Sequence, residues 1–124
     1  MKRDLELIRN IMIYLEENLQ PSKEINSTDL PFYNENDENY QLMSEHLKLI
    51  IENGYIEVIK TPIKGFTLFS ITRITTKGYD FLDALRNEKV WNQVKEKTLS
   101  VGGFTLSLLV DLGKEYIKNE LFKI

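Results

Sequence analysis

The chain has 124 residues, 42 % of them hydrophobic and 28 % charged, the balance of an ordinary globular protein with room for one domain and a modest core. It has no cysteine and one histidine, His46. Disulfides, thiolate metal sites, thiol nucleophiles and paired-histidine metal centres are therefore excluded. The formal charge of −3 is unevenly spread: residues 1–53 balance at −6 and residues 54–124 at +3, and the stretch 58–79 holds Lys60, Lys64, Arg73 and Lys77 with no acid.

The sequence predicts a first helix over about residues 4–18, where Leu5, Ile8, Ile11, Met12 and Leu15 recur at helical spacing. Asp4 is its expected N-cap, because a carboxylate there can accept from the free amides of the first turn. Pro21 ends the segment. Residues 20–36 break the periodicity with Pro21, Pro31 and many Asn, Ser and Asp; within them Ile25 is expected to add one rung to a sheet, and residues 28–34 a short helical turn. A second helix spans about residues 37–53, with Tyr40, Met43, Leu47, Ile50 and Ile51 as its apolar stripe. Asn53-Gly54 closes it, since glycine takes the left-handed conformation after a helix without a Cβ penalty.

Two strands follow, over about residues 55–60 and 68–74, with Thr61-Pro62-Ile63-Lys64-Gly65 as the hairpin tip. Thr75 or Thr76 then caps a third helix, about 76–86, carrying Tyr79, Phe81, Leu82 and Leu85. A fourth, about 87–99, carries Val90, Trp91 and Val94. Gly102-Gly103 is a turn. Thr105 caps the last helix, to about residue 121, with Leu106, Leu109, Val110, Gly113, Ile117 and Leu121 on one stripe. No segment approaches the ~20 apolar residues of a membrane span, and residues 1–10 lack a signal-peptide core. A soluble, cytoplasmic protein is expected.

The residues that could carry chemistry do not assemble a reaction site. His46 lies at helical spacing from Tyr40, Met43 and Ile50 and reads as a half-buried structural histidine. Asp80/Asp83, Glu16/Glu17 and Asp37/Glu38 read as solvated pairs, those at a helix start favoured there by the helix dipole. Gly102-Gly103 lacks the spacing and the preceding strand of a phosphate loop. The expectation is a non-enzymatic protein without cofactor or metal.

Helix, irregular connection, helix closed by glycine, hairpin, helix is the order of a winged helix. The expected fold is therefore α+β: a single domain over residues 1–124, with a winged helix-turn-helix core over 1–86. The two C-terminal helices of 87–124 pack on that core or serve dimerisation. The run from His46 through Gly54 to Ile56, and the run from Ile71 through Thr75 to Leu82, resemble the helix-to-wing and wing-to-helix segments of bacterial winged-helix regulators. A wider resemblance rests on Met1 to Arg9, on Gly78 to Asn87 with Val90-Trp91 after it, on Lys95-Glu96-Lys97, on Gly102-Gly103 and on Tyr116-Ile117-Lys118. These segments are similar to the domain-of-unknown-function family numbered 2513. The resemblance implies a short protein of Gram-positive bacteria and their prophages, with a winged-helix-like fold and no established activity. It is weakest over residues 20–40.

Two functions follow from that fold. In the first, a DNA-binding or transcription-associated protein, the second helix enters the major groove and the wing grips phosphates. Gln41, Ser44 and Lys48 would face the groove, Lys60, Lys64 and Arg73 would hold the backbone, and Lys77 would stand behind them. Against this, the polar face of the second helix carries Glu38, Gln41, Glu45, Lys48 and Glu52, three acids against one base, where phosphate neutralisation needs cations. In the alternative, the scaffold is a protein-interaction module whose acidic face meets a basic partner or mimics nucleic acid. Trp91 belongs either to the core or to a contact surface, since tryptophan is enriched in binding hot spots. By analogy with winged-helix regulators, Leu109, Ile117 and Leu121 on the terminal helix are candidate homodimer contacts. Neither a membrane nor a small-molecule substrate is expected.

Overall fold

Asp4 fixes where the first helix begins. Its carboxylate accepts the Leu7 N–H at 3.1 Å, and α1 runs Leu5–Asn18. The computed structural model describes residues 1–33, 37–103 and 105–123, with only the backbone of Asp37. Ile8, Ile11, Met12 and Leu15 of α1 are buried, and so is Arg9. Beyond Pro21 the chain enters a short strand, β1 (Ile25–Asn26), and then a single 3₁₀ turn over Ser27–Asp29. The rung expected at Ile25 is therefore present. Part of the helical turn expected over 28–34 is present too, although Asn34 lies outside the described residues.

Helix α2 covers Asp37–Glu52. Met43, His46, Leu47 and Ile50 are buried along it. Its last turn hands over to Gly54, whose φ of 75° is a left-handed backbone that a side chain would strain. Strands β2 (Ile56–Ile63) and β3 (Phe66–Ile74) form the hairpin. The tip is narrower than Thr61-Pro62-Ile63-Lys64-Gly65: Ile63 pairs with Phe66 and Pro62 with Thr67, so only Lys64-Gly65 turn. Pro62 does not end the strand because β2 lies at an edge of the sheet, where a missing N–H costs least. The antiparallel order is β1-β3-β2. A register shift between Glu57 and Val58 bulges the hairpin near its base.

Thr75 joins the hairpin to the next helix. Its N–H donates to the Tyr55 carbonyl at 3.0 Å, its hydroxyl donates to the Gly54 carbonyl, and the same oxygen accepts the Gly78 N–H at 3.1 Å. Helix α3 (Thr76–Leu85) therefore starts on the turn that opens the hairpin. Of the two threonines that could cap it, Thr75 is the one used.

Helices α4 (Glu88–Val101) and α5 (Leu106–Leu121) complete the chain. Asn87 caps α4 through the Lys89 and Val90 N–H groups, and Thr105 caps α5 through that of Leu108. Gly102 ends α4 with φ 78°. Among the described residues, then, the fold is α+β, with five α-helices and one small antiparallel sheet. The chain forms two compact units, Met1–Tyr79 and Asp80–Ile124, with the boundary inside α3. In the first, most buried side chains come from α1, α2 and the sheet, Phe69, Ile71 and Ile74 of β3 among them. In the second, Phe81, Leu82, Leu85, Trp91, Val94, Leu106 and Leu109 are buried. No helix among the described residues is long and apolar enough to cross a membrane.

Candidate functional site

The exposed side of α2 and the tip of the hairpin face a common cleft in the first unit. It encloses about 490 Å³ and is lined among others by Tyr40, Gln41, Leu42, Glu45, Lys48 and Phe66. Tyr40 sets its geometry. The Tyr40 hydroxyl shares a 2.8 Å hydrogen bond with Ser27 Oγ and donates to the Thr67 carbonyl at 3.3 Å. Ser27 Oγ in turn accepts the Phe69 N–H at 3.1 Å. The Tyr40 ring meets Tyr33 and Phe66 edge-on, at 5.0 and 5.5 Å between centroids. The first turn of α2 is thus tied to β3 by a polar chain and an aromatic one. Spacing assigned Tyr40 to the apolar stripe but gave no sign of its hydroxyl's work, which depends on residues 13 and 27 positions away.

The opposite side of α2 explains His46. The ring is fully buried, rather than half-buried as expected. Nδ1 lies 2.7 Å from the Leu42 carbonyl, and Nε2 accepts the Asp4 N–H at 2.8 Å. A carbonyl can only accept and a backbone N–H can only donate, so the ring is the neutral Nδ1–H tautomer. Both nitrogens are occupied by structural bonds. No group of three or more metal-ligating side chains occurs among the described residues.

The charges of the site are mostly engaged with one another. Lys48 Nζ pairs with Glu45 Oε1 at 2.8 Å on the same helix. Arg73 pairs with Glu57 at 2.8 Å, directly across the hairpin, where the two are register partners. Lys77 is exposed, with its ammonium 5.9 Å from the centroid of the Tyr55 ring. Burial pushes the Tyr55 phenol above its ordinary range. Lys60 and Lys64 are exposed on the hairpin and make no ion pair among the described residues.

The structure brings the expected groove-facing set together: Gln41, Ser44 and Lys48 all line the cleft, with Gln41 exposed, Lys48 partly exposed and Ser44 only 8 % exposed. The expected interface set divides. Trp91 and Leu109 are each 1 % exposed and offer no contact surface: both fall on apolar stripes that face inward. The Lys95 ammonium lies 5.8 Å from the centre of the Trp91 ring. Ile117 is partly exposed and Leu121 is exposed. Leu42, Tyr40 and Phe66 form an apolar part of the α2 cleft's lining. Its charged margin, Glu38, Glu45 and Lys48, is net acidic.

The chain matches the family model described as "Hypothetical protein (DUF2513)" over residues 2–105, and it belongs to that family. An uncharacterized protein of Haemophilus influenzae is 29 % identical over 108 residues, covering 87 % of this chain and 86 % of the relative. No solved structure matches the chain. The matched residues include the α2 cleft, and α5 lies beyond them.

Proposed function

We propose that the first unit is a winged helix-turn-helix scaffold used for protein interaction, with the exposed face of α2 as the contact surface for a basic partner. The scaffold reading is supported by the element order and by the sheet order β1-β3-β2. The β2–β3 hairpin stands in the place of the wing, the 3₁₀ turn at Ser27–Asp29 in that of the short second helix, and α2 in that of the recognition helix.

One observation carries the functional reading. Where a base-reading helix would approach phosphates, α2 exposes Glu38, Glu45 and Glu52, and its one cation, Lys48, is already paired with Glu45. Each phosphate contact needs a cation to release counterions, and an acidic face repels the duplex instead. A partner with lysine or arginine beside apolar anchors suits the same face and the cleft next to it.

A specific feature keeps DNA as the second reading: Lys60 and Lys64 stand exposed on the hairpin without an acid partner among the described residues. The test is fluorescence anisotropy of labelled duplex DNA at about 50 and 200 mM salt, the range over which phosphate contacts declare themselves. It compares the wild type, Glu45→Lys/Glu52→Lys and Lys60→Ala/Lys64→Ala/Arg73→Ala. On the interaction reading the wild type does not bind, and the charge-reversed variant gains salt-sensitive binding because the acids were the obstacle. Wild-type binding that weakens by at least about tenfold across that range and disappears in the triple variant would overturn this reading in favour of DNA.

A further inference from the structure

We propose that the groove between α3 and α5 in the second unit is a self-complementary surface through which two copies of this chain associate about a two-fold axis. The groove encloses about 330 Å³. Ala84, Ile117, Leu121 and Phe122 line it, and Leu121 and Phe122 are each 74 % exposed, adjacent large apolar side chains left in water. Its two banks carry opposite charge: Asp80 and Asp83 on α3, Lys114 and Lys118 on α5.

That distribution selects the occupant. A two-fold interface places the same patch against itself, so the patch must complement its own image. A groove with banks of one sign would repel its copy. Here rotation by half a turn sets each copy's aspartates against the other's lysines, with the apolar strips meeting between them. The acidic bank counts against an anionic lipid surface, which would attract only the lysines. Asp83 also pairs with Arg86 at 3.0 Å on its own helix. That pair is solvent-exposed, and such pairs contribute only about 0–1 kcal/mol, so it yields readily to a new partner.

The groove is also preformed. Gly113 of α5 lies so close to α3 that a Cβ there would stand 2.6 Å from the Ala84 carbonyl oxygen. The helices meet backbone to backbone at that point, which fixes the distance between the banks. This surface is separate from the α2 cleft, so the inference does not depend on the function proposed for that cleft.

The experiment is sedimentation equilibrium of the full chain at about 100 μM, well above a micromolar Kd. It compares the wild type, Asp80→Lys/Asp83→Lys, Lys114→Glu/Lys118→Glu, an equimolar mixture of the two charge variants, and Leu121→Ser/Phe122→Ser. Circular dichroism confirms that each variant is folded, as expected for exposed positions. The expected result is a wild-type dimer, monomers for each charge variant alone and for the apolar variant, and a heterodimer in the mixture, where a wholly basic groove meets a wholly acidic one. A monomeric wild type would overturn the proposal. So would a dimer that persists in every variant, or charge variants that fail to combine when mixed.

Discussion

His46 Nε2 accepts the backbone N–H of Asp4 at 2.8 Å. Asp4 is also the N-cap of α1, accepting from Leu7 through its side chain. One residue therefore caps its own helix with its carboxylate and is fastened to α2 by its amide. The imidazole acts as a bracket between the start of one helix and the middle of another, 42 residues on.

Removing the ring in His46→Ala leaves a cavity and frees both the Asp4 N–H and the Leu42 carbonyl from their partner. A large-to-small change in a closed core combined with lost buried hydrogen bonds costs about 2–4 kcal/mol. Urea denaturation of the variant should show a midpoint lowered accordingly with an unchanged slope. A loss below about 0.5 kcal/mol, the range of surface substitutions, would show that the bracket carries no weight.

Gly78→Ala tests a close approach against helix propensity. Alanine is favoured over glycine inside a helix by about 1 kcal/mol, and Gly78 lies within α3 at a φ that needs no glycine. A Cβ there would nonetheless collide with the Tyr55 carbonyl oxygen and stand 2.7 Å from Ile74 Cγ2. The obstacle is backbone and cannot swing aside, so the clash should win. The variant should lose about 1–3 kcal/mol, read as a lower thermal midpoint. A gain would mean that α3 can move away from the hairpin base at no cost.

Ser27→Ala removes the acceptor for the Phe69 N–H and one partner of the Tyr40 hydroxyl. Ser27 is fully buried, so the orphaned N–H has no water to turn to. The expected cost is about 1–3 kcal/mol. Because the three groups form one chain, Ser27→Ala/Tyr40→Phe should cost less than the two single changes together. Strict additivity in a double-mutant cycle would disprove the coupling between α2 and β3.

Tyr55 contributes to the loss of stability at alkaline pH. Burial disfavours its phenolate, so the folded chain holds the phenolic proton to higher pH than the unfolded chain does. The contribution is fully present below about pH 10, the ordinary tyrosine value, and stability falls as pH rises past it. In a spectrophotometric titration of the six tyrosines, Tyr55 should ionise late, together with unfolding. Tyr55→Phe should abolish that late component; a late component that survives in the variant would assign it to another tyrosine.

The parts legible in the sequence were those set by local chemistry. Helical spacing located α1, α2 and α5 because each carries a stripe of apolar residues, of which α5 buries only the part at Leu106, Leu109 and Gly113. Asp4, Thr105 and Gly102 marked ends because capping depends on neighbours within four residues. What stayed hidden depends on distant neighbours. Pro62 argued for a wide turn, yet an edge strand accommodates it. Ser44 sat at a polar position by type, yet it is only 8 % exposed where it lines the cleft. Arg9, a charged residue beside the apolar stripe of α1, is buried, and no spacing rule marks it. On the α2 cleft the acids were plain from the sequence, whereas the pairing of Arg73 with Glu57 required the strand register. Trp91 was open between core and contact until its burial was known.

Thr75 has a consequence for local opening. The same oxygen that donates to the Gly54 carbonyl receives the Gly78 amide, while the Thr75 amide holds the Tyr55 carbonyl. The hairpin cannot part from its opening turn without unwinding the first turn of α3, so the two open as one cooperative unit. Native-state hydrogen exchange should show the Thr75 and Gly78 amides leaving protection together, at a single opening free energy, and Thr75→Val should release the Gly78 amide first.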